Sequence, residues 1–314
     1  MLHIYTSGAD GNIKAADAFE SGCWVNLAKP TEDELTSVAE NLGIDLQDLQ
    51  APIDPEEGSR VSIEDGYVLI LVDIPSTEIR NSNESYTTIP FAIFLCDKGI
   101  VTVCAEKVPL LSSFTEGRAK GCSPLTKTRF AIQLLYRISH DYLVCLSKID
   151  RLSDEIEQQL YSSTRNKELI KLLELKKALV YFNTSLKQNE RVLEKLAAMK
   201  EVEKGAEEEE LLKDTIIENR QALEMAGIYA NITGGVMDAY ASVVANNQNS
   251  IMKTLALIAI IMSIPTMIFS AYGMNLAAEG MPFTEYWWGF AVIVIGAFVV
   301  SLLAALFFVL RKWF

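Results

Sequence analysis

Two long apolar runs near the end of the sequence restrict the fold more than any other feature. Residues 251–272 carry one charged side chain, Lys253, and residues 289–310 carry none. An α-helix rises about 1.5 Å per residue, so each run makes a helix of roughly 30 Å, the thickness of a bilayer's hydrocarbon core. We therefore predict two transmembrane helices. Buried helices of a large soluble protein are the alternative.

Aromatic and basic residues at the ends of the runs predict how the pair lies in a membrane. Residues 286–288 are Tyr-Trp-Trp, which is typical of an interfacial aromatic belt, and residues 311–314 form a basic and aromatic tail. The connection, residues 273–288, is so short that the two helices form an antiparallel hairpin. Lys253 and the basic tail are predicted to be cytoplasmic, so the connecting loop is extracellular.

The charge of the chain is concentrated before the apolar runs. The net charge is −13, and the first 250 residues contain 25 basic and 39 acidic side chains. An acidic, water-soluble region therefore precedes a nearly uncharged tail. Its negative surface argues against nucleic acid as a partner and favours cations.

The N-terminus and the cysteines point to a cytosolic region. The first residues, MLHIYTSGAD, lack the basic start and apolar run of a signal peptide, so we expect none. A histidine-based metal site is not expected, because the chain has only two histidines. The cysteines show no CxxC spacing, so we expect reduced thiols rather than disulfides or a zinc site. They are Cys23, Cys96, Cys104, Cys122 and Cys145.

Residues 1–120 have the pattern of an α/β domain. Four runs rich in β-branched and aromatic residues predict strands: CWVNL, YVLILVDIP, YTTIPFAIFL and IVTVCAE. Between the first two runs, Thr31 and Glu34 form a capping box at the start of a predicted helix, and Gly43 stops it.

Residues 121–250 are predicted to form a long helical stalk region. A seam of apolar residues at alternating steps of three and four is interrupted once, by Asn189. The pattern breaks at Gly205, and a second helix from about Glu207 is predicted to continue unbroken into the first membrane span. Gly227 and the pair at 234–235 are its weak points. The seam consists of Leu172, Leu175, Leu179, Phe182, Leu186, Asn189, Leu193 and Leu196.

The residues at the end of the first span resemble a known family. The motif YGMN, residues 272–275, follows the polar approach NNQNSIMK and a span that contains Pro265, and it precedes a second span with a basic-aromatic end. This arrangement resembles the CorA family of magnesium transporters with two transmembrane helices. The resemblance covers the whole chain and implies a cytoplasmic α/β domain, long helices, a C-terminal hairpin and a funnel-shaped homopentamer.

The resemblance also implies a function. The family transports Mg²⁺ into the cell across the plasma membrane, driven by the membrane potential, and Co²⁺ or Ni²⁺ are further expected cargo. A ring of Asn275 carboxamides at the outer mouth would contact the ion's hydration shell, with residues 272–275 as the selectivity filter. Gly273 is expected to allow an unusual backbone turn there. The alternative is that Asn275 is a helix C-cap.

Counting inward from Asn275 gives the residues expected to line the pore. Hydroxyl groups lie in the outer half of this face, and Met252 and Leu255 match the family's hydrophobic gate, which stops a hydrated ion by dewetting. Ordinary helix packing is the alternative for both. Pro265 is expected to kink the span and free a carbonyl. The predicted lining is Asn249, Met252, Leu255, Ala259, Ser263, Thr266 and Ser270.

Acidic residues suggest ion capture and regulation. Glu279 and Glu285 in the loop are expected to concentrate cations, although a plain solvated loop is as good a reading. Relatives carry an aromatic after the Asn and an acid after Met-Pro, whereas this chain has Leu276 and Phe283. The resemblance further implies regulatory carboxylates between subunits, for which Asp54 and Asp214 are the candidates. Isolated surface acids are the alternative.

Three functions remain open. The first is a Mg²⁺ channel inhibited by cytoplasmic Mg²⁺. The second is a zinc transporter of the same superfamily, against which Met274 argues, because that branch carries Val at the position. The third is a membrane-anchored scaffold that conducts nothing. No P-loop, nucleophile motif or phosphorylated-aspartate motif occurs in the sequence, so we expect neither an enzyme nor an organic cofactor.

Overall fold

The computed structural model describes residues 1–7, 13–80, 83–115, 123–162, 166–200, 202, 204–275, 281–283 and 286–311. The chain divides into two compact units, Met1–Met237 and Asp238–Phe314. The predicted Glu279 and Glu285, together with Leu276 and Cys122, lie outside the described residues.

A single β-sheet organises the first unit. Within the described residues it has seven strands in the order β2-β1-β3-β7-β6-β5-β4. The pair β3–β7 is parallel, and all the other pairs are antiparallel. The strands are β1 Leu2–Ser7, β2 Ile13–Ala16, β3 Cys23–Ala28, β4 Arg60–Glu64, β5 Tyr67–Arg80, β6 Asn83–Cys96 and β7 Gly99–Cys104.

All four predicted strands are confirmed, as β3, β5, β6 and β7. The strands β1, β2 and β4 were not predicted. They lie at or next to the two ends of the strand order, where part of each strand remains exposed and the apolar signal in the sequence is weaker.

One face of the sheet packs against two short helices, α1 (Glu32–Leu42) and α2 (Leu46–Gln50). Leu35 and Val38 of α1 join a buried apolar cluster with residues of the central strands. The predicted boundaries of α1 are confirmed. Thr31 and Glu34 form both bonds of the capping box, and Gly43 ends the helix in the left-handed conformation, with a φ of 71°.

Two long helices, α4 (Lys127–Ser162) and α5 (Asn166–Ala198), pack next to the sheet. Phe130 of α4 lies 5.1 Å from the ring of Trp24, and Tyr142 of α4 meets Phe182 of α5 edge to face at 5.1 Å. Every member of the predicted α5 seam is buried. The seam packs within the chain, because α5 contacts β4, β5, β6 and α4. The described part of the connection from β7 to α4 contains a 3₁₀ turn, Pro109–Leu111, and the short helix α3, Ser112–Thr115.

Asn189, the polar member of the seam, continues the hydrogen bonding of the sheet beyond the first residue of β4, Arg60. The pairing of β4 with β5 stops at Arg60 and Leu71. Two residues further along β5, the Asn189 Oδ1 accepts from the Asp73 N–H at 2.9 Å, and Nδ2 donates to the Asp73 carbonyl at 2.8 Å. The carboxamide therefore replaces the peptide group of a missing strand neighbour.

The longest helix, α6, runs from Ala206 to Tyr272 and crosses the boundary between the two units. The prediction of one continuous helix is confirmed, and Pro265 lies inside it. The last helix, α7, is Gly289–Leu310.

Residues of α5 and α6 approach each other at intervals of seven positions, and the residue numbers rise along α6 while they fall along α5. Arg220 bridges Glu190 and Glu194, at 2.5 and 2.6 Å. Seven residues later a Cβ at Gly227 would lie 3.5 Å from the Asn183 amide, and at Gly234 a Cβ would lie 3.1 Å from the Lys176 ammonium. The register shows that the two helices run antiparallel.

Candidate functional site

Two helices in the second unit are long and apolar enough to cross a membrane. They are α7 and the C-terminal part of α6, and nearly all of their apolar stretch is exposed in the single chain. Phe290 and Leu310 of α7 are each 79% exposed. Helices in the core of a soluble protein would be covered, so this exposure argues against the alternative of buried soluble helices.

The motif at residues 272–275 begins where α6 ends. The Gly273 N–H donates to the carbonyls of Phe269 at 2.9 Å and Ser270 at 3.1 Å, and the Met274 N–H donates to the Ala271 carbonyl at 3.4 Å. These bonds close the last helical turn, and Asn275 follows with an exposed side chain.

The backbone conformation of this turn differs from what we expected. Among the described residues, the glycines with positive φ are at other positions, and a Cβ on Gly273 would meet nothing closer than 3.4 Å. The expectation that Gly273 supplies an unusual backbone is therefore wrong, because ordinary helix-closing bonds end α6. Asn275 also lacks a positive φ, which argues against its being a left-handed C-cap.

The unusual conformation lies instead in the segment that returns to α7. Phe283 has a φ of 66°. The preceding carbonyl, that of Pro282, accepts a hydrogen bond from the Tyr272 hydroxyl at 3.3 Å. Tyr286 stacks on Trp288 with ring centroids 4.8 Å apart. Neither the positive φ of Phe283 nor the hydrogen bond of the Tyr272 hydroxyl follows from a local pattern in the sequence.

The seven predicted lining residues are all in α6 and are all exposed in the single chain. Leu257, on the other side of the helix, is buried. The Ser263 hydroxyl donates to the Ile260 carbonyl at 2.7 Å, and the Thr266 hydroxyl donates to the Met262 carbonyl at 2.9 Å. Each hydroxyl proton is therefore used within the helix, and its oxygen remains able to accept hydrogen bonds from water. Much of this helix surface is exposed in one chain, so the lining stays a prediction.

The two candidate regulatory acids lie in the first unit. Asp54 follows a 3₁₀ turn (Ala51–Ile53), and its Oδ1 accepts from the Glu56 N–H at 3.0 Å. Asp214 is an exposed residue of α6. Among the described residues, the fold does not gather three or more Asp, Glu, His or Cys side chains into a metal site. The two acids therefore stay candidates for a site that two subunits would share.

The described cysteines are free thiols: Cys23, Cys96 and Cys104 are buried, and Cys145 is half-buried. Burial raises the pKa of Cys96 to about 12 and the pKa values of Cys104 and Cys145 to about 11. Protonated thiols are poor metal ligands.

The fold and site define a class of protein. A sheet domain with long helices leads, through one continuous helix, into two apolar membrane-length helices, and a polar segment joins them. This is the architecture of a membrane protein with two transmembrane helices and a large soluble domain.

Comparison with known proteins places the chain within that class. The sequence model of the CorA-like Mg²⁺ transporter protein family matches residues 19–312. The chain belongs to this family, whose members are transporters rather than enzymes.

Two curated relatives and a solved structure agree. The cobalt/magnesium transport protein CorA of Methanocaldococcus jannaschii is 26% identical over 292 residues, which cover 88% of this chain and 89% of that protein. The cobalt/magnesium transport protein CorA of Thermotoga maritima is 26% identical over 297 residues, covering 92% and 83%. The complete structure of the M. jannaschii CorA magnesium transporter matches 100% of this chain and 99% of its own, with a TM-score of 0.84 at 23% identity. The expected fold of one chain is thereby confirmed: an N-terminal α/β domain, long helices and two C-terminal apolar helices.

Proposed function

We propose that this protein is a Mg²⁺ channel that mediates influx across the plasma membrane, driven by the membrane potential. The observation that carries the proposal is the family match, which spans the soluble domain, both apolar helices and the polar segment between them. Co²⁺ and Ni²⁺ are further cargo of similar charge and size. Two relatives are named as cobalt/magnesium transport proteins, which supports this range.

A conducting pore requires several copies of the chain. Two transmembrane helices cannot enclose a water-filled path, so the pore is formed by a homopentamer with α6 of each subunit at its axis. The exposure of large apolar side chains on both helices supports burial against lipid and other subunits. Both termini are cytoplasmic, and the segment 273–288 faces outside.

The filter is a ring of Asn275 side chains at the outer mouth, with Tyr272, Gly273 and Met274 beside it. Mg²⁺ gives up its water reluctantly, so neutral amide oxygens select it through its hydration shell without binding it too tightly. The exposed position of Asn275 just beyond the end of α6 supports this role. Glu279 and Glu285 raise the local cation concentration at the mouth.

The path behind the filter is polar first and apolar further in. Ser263, Thr266 and Ser270 present oxygen acceptors, which suit the outward-pointing hydrogens of a hydrated cation. Met252 and Leu255 form the gate, a constriction that closes by excluding water.

Cytoplasmic Mg²⁺ regulates the channel through carboxylates at subunit interfaces. Asp54 and Asp214 are exposed and carry the oxygen ligands that Mg²⁺ prefers. Facing each other across an interface, they would repel unless a cation lay between them. Loss of that cation at low Mg²⁺ would favour the open state.

The test is Mg²⁺ uptake into dye-loaded, Mg²⁺-free proteoliposomes under an inside-negative potential. Wild type is compared with Asn275→Ala and with Asn41→Ala, an exposed Asn of α1 that serves as a matched control. We expect uptake by wild type and the control, and its loss in Asn275→Ala with the oligomer intact. Equal uptake by all three would place the filter elsewhere.

The same assay separates the other two functions. Preferential uptake of Zn²⁺ in competition with Mg²⁺ would favour the zinc transporter. No uptake of any divalent cation by the wild-type protein would favour the scaffold.

A further inference from the structure

The segment before α7 lies against the first residue of that helix. The Gly289 N–H donates to the Tyr286 carbonyl at 2.9 Å, and Gly289 is buried. A Cβ at position 289 would lie 1.8 Å from the carbonyl oxygen of Phe283 and 2.9 Å from its carbonyl carbon. These are backbone atoms, so any side chain at 289 would displace the chain at Phe283.

Phe283 is itself held in a conformation that L-residues rarely adopt. Its φ of 66° is in the left-handed region, which costs about 1 kcal/mol or more for a residue with a bulky side chain. Its ring lies 5.9 Å from that of Trp288, which also stacks on Tyr286. Such a conformation persists only where the surroundings determine it, and here the close approach to Gly289 and these aromatic contacts do so.

The strained residue is adjacent to the hydrogen bond that reaches the filter motif. Pro282, whose carbonyl accepts from the Tyr272 hydroxyl, directly precedes Phe283 in the chain. Only two residues, Gly273 and Met274, lie between Tyr272 and Asn275. A short path of contacts therefore leads from Gly289 through Phe283 and Pro282 to the end of α6.

We infer that Gly289 and Phe283 are positioning residues for the filter. Because Gly289 has no side chain, the backbone of Phe283 can pack against it. This places the Pro282 carbonyl where it accepts the hydrogen bond from Tyr272, and that bond fixes the end of α6 and the position of Asn275. This inference rests on the proposed function, because it assumes that residues 272–275 form the filter.

The test uses full-length protein in liposomes and nanodiscs, with two substitutions to alanine in the same helix. In Gly289→Ala the new Cβ meets the Phe283 backbone, whereas in Gly296→Ala it meets nothing within 4 Å. Tyr272→Phe removes only the hydroxyl and is a second variant that should fold normally. Oligomer size is checked for each by size-exclusion chromatography.

Two readouts are combined. We expect Gly289→Ala to lower initial Mg²⁺ uptake about tenfold or more, Tyr272→Phe to lower it several-fold, and Gly296→Ala to stay near wild type. Hydrogen exchange should become faster at the amides of Gly273 and Met274 in Gly289→Ala and Tyr272→Phe, and not in Gly296→Ala.

Wild-type uptake by Gly289→Ala would overturn the inference. So would unchanged exchange at Gly273 and Met274 in Gly289→Ala, even if uptake fell. Failure of the proposed function would look different: the wild-type protein itself would not conduct, and the exchange pattern of the variants would still report whether Gly289 holds the end of α6.

Discussion

Asn189 and Asp73 show how single polar residues stabilise the soluble unit. The Asn189 side chain is 3% exposed and bonds both backbone groups of Asp73, and its Oδ1 also accepts from the Ser59 hydroxyl at 3.2 Å. The Asp73 carboxylate accepts from the Ser185 hydroxyl at 2.5 Å. At position 189 of the buried apolar seam, hydrogen bonding rather than apolar burial therefore explains why the residue is Asn.

Asn189→Ala is expected to lower the free energy of unfolding by about 1–3 kcal/mol, because it removes the acceptor of the Asp73 N–H, whereas the Asp73 carbonyl still accepts from the Tyr142 hydroxyl at 3.2 Å. Thermal unfolding of the full-length protein, followed by near-ultraviolet circular dichroism, measures the effect. Asn183→Ala, on the same helix and half-buried, is the control and should cost much less. Equal midpoints for the two variants would contradict this role for Asn189.

Asp73→Asn is expected to change the pH dependence of stability. Burial raises the pKa of the Asp73 carboxyl, so the folded chain binds this proton more tightly than the unfolded chain does. The resulting stability is fully present below the unfolded pKa, about 4, and is lost as pH rises through the folded pKa. Asp73→Asn has no carboxyl at this position, so it does not lose this stability as pH rises. Its amide oxygen can still accept the hydrogen bond from the Ser185 hydroxyl.

Unfolding midpoints measured from acidic pH towards neutrality test this expectation. The midpoint of Asp73→Asn should fall less than that of wild type as pH rises. Asp65→Asn, an exposed turn residue, should follow the wild-type profile. If the midpoints of wild type and Asp73→Asn changed with pH in the same way, the Asp73 carboxyl would have the same pKa in the folded and the unfolded chain.

At the scale of elements, α6 is the helix that connects the soluble unit with the apolar one. It remains helical through three glycines and a proline, although each lowers intrinsic helix stability. In its soluble part, Arg220 pairs with Glu190 and Glu194 of α5, and the Asn219 Nδ2 donates to the Leu186 carbonyl at 3.0 Å. Tertiary packing, rather than propensity, therefore explains the continuity of the helix there.

Gly235→Ala is expected to stabilise α6 by about 0.5–1 kcal/mol, because alanine loses less backbone entropy than glycine in a helix. A Cβ there meets nothing within 4 Å, and the φ of Gly235 is not positive. Ala239→Gly, one turn later, should destabilise by a similar amount. Denaturant midpoints of the two variants measure both effects. A lower midpoint for Gly235→Ala would show that position 235 needs a glycine for contacts beyond the single chain.

At the scale of the whole molecule, charge and apolar surface are separated along the chain. The first 250 residues carry almost all the acids, and the apolar helices expose large side chains that water does not tolerate. This separation is compatible with the proposed function, in which the first unit would sense cations and the apolar helices would lie in lipid and against other subunits.

Asp214→Asn is expected to weaken stabilisation of the oligomer by Mg²⁺. Mg²⁺ that binds between subunits of the folded protein raises the unfolding midpoint, and tighter binding raises it more. We therefore expect a smaller Mg²⁺-dependent rise in Asp214→Asn than in wild type, and removal of Mg²⁺ by a chelator should equalise the two. Asp238→Asn, also an exposed acid of α6, is the control. An unchanged rise in Asp214→Asn would exclude this residue from the sensor.

Local patterns predict much of this protein. The caps of α1, four of the seven described strands, the buried seam of α5 and the course of α6 are all as expected. Each depends on residues close in sequence, or on a periodicity that the helix or strand itself imposes. The motif at residues 272–275 likewise indicates the family, because its four residues are adjacent and directly follow an apolar span.

Other features depend on residues far apart in the chain, and only the tertiary structure decided them. The pairing of Asn189 with Asp73 joins positions 116 residues apart, and no local pattern predicts it. The need for glycine at 289 arises from the carbonyl of Phe283, and the unusual backbone that we expected at Gly273 lies at Phe283 instead. The sequence alone determined the four central strands, the helices α1, α5 and α6 and the two apolar stretches, because periodicity and hydropathy are local. The outer strands and the closest contacts were decided by how these elements pack.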